Sequence, residues 1–492
     1  MTEFELKFQL PPERVDGILR ALQRGKTVRQ LLQARYFDTA DGALAAHGAT
    51  LRMRKEGRRW VQTAKAAGDS ALHRLEHEVA VPAPATAGVA PAVDWRLHAG
   101  TPAGEVIAQA LWARPPDEAP LVLVYQTHVQ RIKRVIRSQG STVEVALDRG
   151  WIEAGGERAD ICEIEFELKT GEASDAIALA RRWCAAHGGW LSTISKAEQG
   201  QRLARRQAPG PALQGRDIAS HARAGGEFGR AVLHACLEQI MANASEVAAG
   251  STDAEHVHQL RVGVRRLRTA MRELPQLMPP ADVDWAAPWV QLFHELGRHR
   301  DSGFVAQLQA RLEAAGGPAL QIAPDALGPS DPVAAVRSPG WQDALLAMLG
   351  WMHGPADAAG FGAKRVKAIL AKRLGKLFKD VRKDGRHFVQ LPAPRQHRVR
   401  KRLKRLRYLT EFSRHHFDQD DVKSFVEALK PAQDALGNYN DEVLAGGFYA
   451  GLAAQEPRAW FGAGWLAARR AANAAACEDT LRALADLRPF WK

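Results

Sequence analysis

Hydrophobic and polar positions follow two different rhythms along this chain. In the first two hundred residues they alternate with period two, the mark of strands whose faces see different surroundings. Phe4, Leu6 and Phe8 share one face and Glu3, Glu5 and Lys7 the other; Ile164, Phe166 and Leu168 oppose Glu163, Glu165, Glu167 and Lys169. Shorter runs repeat the pattern: Arg52 with Arg54, Thr63 with Lys65, Arg74 with Glu76 and Glu78, and Glu144 with Asp148. From about Asp217 onward the spacing becomes helical, rich in Ala, Leu and Arg. The Pro/Gly-rich stretch Gln207 to Gly215 falls between the two rhythms and opposes both helix and strand. A multidomain chain is expected, with a β-rich domain over 1–206, a linker over 207–219 and an all-α domain over 220–492.

The charged strand faces limit what the first domain does. A single such face is ordinary solvent exposure of an antiparallel sheet. Repeated over six strands, with three carboxylates adjacent on one of them, it calls for compensation, because like charges on neighbouring positions repel. Mg2+ or Mn2+ suits such a face: these ions take carboxylate oxygen and keep positions for water and phosphate. Arginines and lysines on facing strands would clamp phosphate oxygens. Closing the strands with charges inside and apolar residues outside makes a polar tunnel.

The helical half carries a duplication. His258, Arg261, Arg265 and Arg268 stand at intervals of three, four and three, and His397, Arg400, Lys404 and Arg407 repeat them 139 residues later. At 3.6 residues per turn these offsets stack on one helix face. Arg266 and Arg405 flank the stripes, and Leu296-Gly297-x-x-x-Asp301 recurs as Leu436-Gly437-x-x-x-Asp441. Two pseudo-repeats, about 220–310 and 360–490, joined by a Pro/Gly-rich connector around 316–340, account for this.

Composition sharpens the choice of partner. The formal net charge is +13, split as +4 over residues 1–206 and +9 beyond, and Lys364 to Arg407 holds 18 Lys/Arg against Asp380 and Asp384. Anions are the expected partners. Nucleic acid fits less well, since a single-strand binder needs several stacking rings and only Tyr408 lies near a stripe. Cys162, Cys184, Cys236 and Cys477 form no Cys-x-x-Cys pair, so neither a disulfide framework nor a zinc-cysteine site is expected. No stretch runs through roughly 18 apolar residues, and the opening MTEFELKFQL lacks an export core. These features point to a cytoplasmic protein without a membrane partner; oligomeric state is not readable.

Two family resemblances bring these patterns together. Glu3-x-Glu5-x-Lys7, Tyr36-Phe37-Asp38-Thr39, Leu51-Arg52-x-Arg54, Thr63-x-Lys65, Arg74-x-Glu76-x-Glu78, Glu163-x-Glu165-x-Glu167-Leu168-Lys169 and Ser195-Lys196 resemble, in order, the CYTH family of triphosphate tunnel metalloenzymes. The resemblance implies an antiparallel eight-stranded tunnel with flanking helices, an α+β fold that hydrolyses a triphosphate with Mg2+ or Mn2+. Carried over by residue, it implies Glu3, Glu5, Glu165 and Glu167 at the metal, with Glu5, Lys7, Lys65 and Glu165 catalytic. Lys7, Arg52, Arg54, Lys65, Arg131, Arg134 and Lys196 would bind substrate, the register of the Arg131–Arg134 strand being open. Inorganic triphosphate is favoured over thiamine triphosphate, RNA 5′ ends and ATP.

The paired His-x-x-Arg helices resemble the CHAD family of conserved-histidine α-helical domains, which implies a duplicated helical bundle gripping long-chain inorganic polyphosphate, at polyphosphate granules among other places. The residues so implied are His258, Arg261, Arg265, Arg266, Arg268, His397, Arg400, Lys401, Lys404, Arg405 and Arg407. Lys401 departs from the pattern, standing where an apolar residue is expected. The resulting expectation is an inorganic triphosphatase with a polyphosphate-binding module. The alternative is a non-catalytic polyphosphate-binding or granule-associated protein.

Overall fold

A computed structural model describes residues 2–84, 86, 89–112, 121–207, 209–279, 286–323, 327–354 and 361–492. The chain divides into two compact units, Met1–Leu213 with Met241–His256 and Val333–Pro355, and Gln214–Ile240 with Val257–Pro332 and Ala356–Lys492.

The first unit is built on nine strands: β1 Thr2–Gln9, β2 Val28–Asp38, β3 Ala49–Glu56, β4 Arg59–Ala67, β5 His73–Val81, β6 Val122–Ser138, β7 Ser141–Ala154, β8 Glu157–Thr170 and the two-residue β9 Trp190–Leu191. Their order is β5-β4-β3-β2-β6-β7-β8-β1-β9, all antiparallel, and a further pairing of β5 with β1 closes β1–β8 into an eight-stranded barrel. The long hairpins β6–β7 and β7–β8 turn at Gln139-Gly140 and Gly155-Gly156, where all four residues have positive φ, as two-residue turns matched to strand twist require.

The barrel is inside out relative to an ordinary core. Its outward faces are apolar and are covered by helices α1 Val15–Leu22, α2 Ala43–Ala46, α3 Pro102–Trp112 and α4 Ala173–His187, whereas α5 Lys196–Arg205 packs on the inner face, which is apolar at one end through Leu32, Ala34, Tyr36 and Val129. Phe8 of β1 meets Phe166 of β8 edge-on at 5.8 Å, and Phe166 in turn meets Trp183 of α4 at 6.0 Å. Ala103 and Ile107 of α3 pack with Leu51, Ala64 and Ala66 of β3 and β4. α5 packs through Ala197, Leu203 and Ala204 against an apolar group of Leu32, Ala34, Tyr36, Tyr125 and Ile152. A Cβ at Gly200 would stand 2.2 Å from the Tyr125 ring, so this approach requires glycine.

The remaining helices are α6 Gly225–Ala248, α7 Ala254–Glu273, α8 Ala286–Ala314, α9 Pro332–Arg337, α10 Pro339–His353, α11 Ala363–Gly385, α12 Ala393–Phe412, α13 Gln419–Leu452 and α14 Trp460–Ala485. The expected helical character of this half is what the structure has, and no helix among the described residues is long and apolar enough to cross a membrane. In the second unit α13 and α14 pack with α8 around Leu308, Leu312, Ala445, Tyr449 and Leu466. The connector expected around 316–340 holds α9, and its continuation α10 packs on α4 within the first unit; residues 324–326 of it lie outside the described residues.

Candidate functional site

The barrel encloses a cavity of about 840 Å3. Strand alternation delivers its lining: Glu3, Glu5 and Lys7 from β1, Arg52 and Arg54 from β3, Lys65 from β4, Glu76 and Glu78 from β5, Arg131 from β6, Glu165 and Glu167 from β8, and Lys196 from the start of α5. The sequence candidates of the first half thus converge, with one exception. Arg134 turns its guanidinium to the Ala21 carbonyl at 3.3 Å, away from the cavity. Period two explains the correction: Arg131 and Lys133 share the inner face of β6, so Lys133 takes the place assigned to Arg134. Arg74, Glu144, Asp148 and Lys169 also line the cavity and follow from the same alternation.

Register sets carboxylates against one another. Glu5 of β1 stands opposite Glu167 of β8, which stands opposite Glu144 of β7. Glu144 is relieved by Lys133 at 2.9 Å and Glu167 by Lys169. Glu5 is not: among the described residues no cation comes within 4 Å of it, and burial, then the Glu165 charge, push its pKa up against the opposing Lys65, Arg74 and Lys196. Glu3, 3.3 Å from Lys65, is raised by burial and by sharing a proton with Glu76, which stays ionised 2.9 Å from Lys65.

A second acidic group surrounds Lys196. Asp148, Glu163 and Glu165 bring one oxygen each within 4.8 Å of the others, a spacing able to hold a metal ion. The Lys196 ammonium lies 2.7 Å from Asp148 and 2.6 Å from Glu165 and also meets Glu163. Arg131 binds Asp148 through two bonds of 2.7 and 2.6 Å and reaches Glu165 as well. Burial works against the Lys196 and Arg131 cations, yet these carboxylates outweigh it and hold both pKa values well above the ordinary range. Lys7 donates from its ammonium to the Ile194 carbonyl, and burial lowers its pKa. The Nε groups of Arg52 and Arg54 are buried without a hydrogen-bond partner, donors left over for a ligand.

The basic stripes of the helical unit also converge, though not all of them. Arg261, Arg265 and Arg268 of α7 surround the Phe293 ring of α8 at 5.0, 5.2 and 5.0 Å from its centroid. Arg400 and Lys404 of α12 belong to the same charge cluster, and so does Arg300 of α8, which the sequence reading missed. Arg300 precedes Asp301 in the duplicated Leu-Gly motif and is paired with Asp441, the equivalent aspartate of the second copy, at 2.5 Å. Gly297 of that motif has a role: a Cβ there would stand 3.3 Å from the Arg261 guanidinium.

Burial and mutual repulsion depress these cations. Lys404 is pushed down to about 6, by burial first and then by Arg265, Arg400 and Arg300 against Asp441. Arg261 is pushed down to about 10 by burial and Arg265, and Arg400 is lowered too. Arg261 Nε and Nη1 and Arg400 Nε are buried without hydrogen-bond partners. Lys401, exposed beside Arg268 and Arg400, is lowered in the same way.

The other stripe residues stand differently. His258 is exposed on α7, and His397 bonds Asn440 at 3.0 Å. Arg266 turns inward, donating to Gln239 at 2.9 Å and to the Arg216 carbonyl at 3.2 Å, and is 4% exposed. Arg405 pairs with buried Glu273 at 2.7 Å, and Arg407 with Glu411 at 2.7 Å. One residue along a helix is a 100° rotation, which carries Arg266 and Arg405 off the stripe and into packing contacts. They are corrected from ligand candidates to structural cations.

The fold and its two charged regions define a class: a closed antiparallel barrel with an acid- and base-lined interior, followed by a helical unit with a concentrated basic cluster. Comparison with known families gives the particulars. The CYTH domain family model matches residues 1–200 and the CHAD domain family model residues 231–450, and the chain carries a CYTH domain followed by a CHAD domain. An inorganic triphosphatase of Haemophilus influenzae is 28% identical over 216 residues, covering 42% of this chain and 56% of that protein, so the chain spans just over half the length of this relative. Among solved structures, the CHAD domain of the plant Ricinus communis is 28% identical with a TM-score of 0.47, covering 56% of this chain and 98% of that one. A Hippeastrum adenylyl cyclase candidate with a dominant triphosphatase activity is 18% identical with a TM-score of 0.29, covering 42% and 96%.

Proposed function

We propose that this chain is a metal-dependent triphosphatase acting on inorganic triphosphate, and that its helical unit binds long-chain inorganic polyphosphate. The observation that carries the reading is the cavity itself, where six cations (Lys7, Arg52, Arg54, Lys65, Arg131, Lys196) face a row of opposed carboxylates. Likeness to an inorganic triphosphatase supports the choice of substrate.

The donor set fits a divalent ion. Glu5 is half-buried, stands opposite Glu167 with the Glu165 charge nearby, and has no cation within 4 Å among the described residues. Hard oxygen donors are what Mg2+ and Mn2+ take. Glu3, Glu5, Glu165 and Glu167 would hold the ion, with Asp148 beside Glu165 as a further oxygen. A divalent ion held there neutralises charge on the transferred phosphoryl group. The protein's share is positioning and charge: the arginines grip phosphate oxygens through paired N–H donors and the lysines as point charges. Because these charges are largely buried in the barrel, their contacts act through a lower dielectric than at the surface, which strengthens them.

Phosphate release from inorganic triphosphate by the full chain, with Mg2+ or Mn2+ and with chelator, tests the reading; ATP and thiamine triphosphate serve as comparison substrates. Turnover of triphosphate that needs added metal is expected. Polyphosphate binding without turnover of any triphosphate would replace it by a non-catalytic binding protein.

A further inference from the structure

The segment carrying Lys196 is held from outside the barrel sequence. β9 is only two residues long, pairing Leu191 and Trp190 with Phe8 and Gln9 of β1. Between it and α5 the chain runs through Ser192, Thr193, Ile194 and Ser195 with irregular backbone, and such backbone needs partners for its N–H groups. Ser192 N donates to the Lys7 carbonyl at 2.9 Å, but its neighbours go elsewhere. Leu191 N donates to Oε1 of Gln342 on α10 at 3.0 Å, and Thr193 N donates to Oγ of Ser245 on α6 at 2.9 Å, with the Thr193 hydroxyl 3.2 Å from the same oxygen.

Both anchors are themselves fixed. Gln342 is 3% exposed and donates through Nε2 to the Val336 carbonyl at 2.7 Å. Ser245 is 2% exposed and donates to the Met241 carbonyl at 2.7 Å, which turns its lone pairs to Thr193. Ion pairs flank each one: Arg181 of α4 grips Asp343 through bonds of 2.6 and 2.8 Å, and Arg202 of α5 grips Glu246. All of these residues belong to the first compact unit, although Ser245 and Gln342 lie 52 and 151 positions beyond their partners.

We infer that Ser245 and Gln342 are positioning residues for the triphosphate site, setting Lys196 in the cavity wall through the backbone of Leu191–Thr193. The inference rests on the reading above, in which Lys196 touches the substrate. Two short stretches of the C-terminal half are then parts of the enzyme site, and a chain cut at residue 206 lacks both. Loosening either anchor lets the Lys196 ammonium drift from the apex of Asp148, Glu163 and Glu165, and a displacement near 1 Å is enough to matter in a site built on position.

The test is a double-mutant cycle in the full chain. Ser245→Ala and Gln342→Met each remove one acceptor while keeping approximate volume. Each is expected to raise KM for inorganic triphosphate about tenfold, with kcat changing less, and Ser245→Thr, which keeps the hydroxyl and its bond to the i−4 carbonyl, is expected to restore it. In a Lys196→Ala background the same substitutions should add nothing, because the group they position is gone. Unchanged KM in both variants, or effects that persist in full beside Lys196→Ala, would overturn the inference. If the wild-type chain turns over no triphosphate, the functional reading fails by itself; the cycle is then read from tripolyphosphate binding by calorimetry, with the same non-additivity expected and full additivity again overturning it.

Discussion

The tunnel and the helical cluster bury cations to a similar degree and treat them in opposite ways. In the tunnel burial lowers Lys7 and Arg54, but carboxylates hold three other cations: Lys196 has three, Arg131 two, and Lys65 lies between Glu3 and Glu76. Their pKa values rise above the ordinary range in spite of burial. In the helical cluster Arg261, Arg265, Arg400 and Lys404 crowd together with Asp301 and Asp441 as the nearby acids; Arg261, Arg400 and Lys404 are shifted downward, and Arg300 alone, bonded to Asp441, is raised. A balanced interior is organised before ligand arrives, which suits chemistry that depends on fixed charges. An unbalanced one stores repulsion that only an incoming anion relieves, which suits gripping.

The comparison breaks most visibly in the tunnel. Glu165→Gln keeps size but removes the carboxylate shared by Arg131 and Lys196, so turnover of triphosphate is expected to fall about 1000-fold while the barrel still folds, in line with the loss of one electrostatic contact in a site of this kind. Glu5→Gln should act similarly through metal binding. Normal kcat/KM in both variants would show that balanced charge is not what the tunnel uses.

In the helical unit the same logic predicts a large loss of affinity. Arg265→Ala with Lys404→Ala removes two charge-assisted contacts, each worth about 1.5–3 kcal/mol. Polyphosphate affinity should drop at least 100-fold, with a shallower dependence on salt because fewer counterions are released on binding. A competition titration at two salt concentrations, with single-stranded DNA as rival, measures both. Arg266 marks the boundary of the cluster. Arg266→Met leaves Gln239 and the Arg216 carbonyl without their donor, so it should cost about 1–3 kcal/mol of stability in denaturant unfolding and leave the salt slope of binding unchanged.

How much of this was readable beforehand follows from periodicity. The barrel's inner face was legible because alternation is strict on β1 and β8, where a one-residue slip would put Glu163, Glu165 and Glu167 into the apolar layer under α4. Arg134 misled because QRIKRVIR packs four cations into eight residues, and only the register Arg131↔Asp148 decides which of them face in. Arg266 and Arg405 misled because spacing alone does not say which side of a helix meets its neighbours. Arg300 could have been found from its place beside Asp301 in the duplicated motif. Ser245 and Gln342 could not: Ser245 is one of several buried polar residues of α6, Gln342 a buried amide of α10, and the meaning of each depends on a backbone N–H far away in sequence.

The smallest predicted effect is also the one that separates the two regions most directly. At pH 7.5 an ammonium depressed to about 6 is largely unprotonated, so in the free protein Lys404 is mostly a neutral amine among Arg265 of α7, Arg300 of α8, Arg400 of its own helix and Asp441 of α13. A polyanion laid on this cluster brings the counter-charge those arginines deny it and raises its pKa. Binding therefore takes up a proton, and affinity should strengthen several-fold per pH unit as pH falls from 8 towards 6, flattening below 6 where the free amine is already charged. Calorimetry of polyphosphate binding in two buffers of different ionisation enthalpy should read an uptake approaching one proton at pH 7.5. Lys404→Arg keeps a cation that does not titrate in this range, so it should abolish the uptake and the slope while binding remains tight. His397 is the other titratable group beside the stripe, its pKa lowered by burial first, but its ring is tied to Asn440, and a slope that survives Lys404→Arg would move the proton to it. The tunnel offers no such signal through Lys196, which its three carboxylates keep protonated throughout this range.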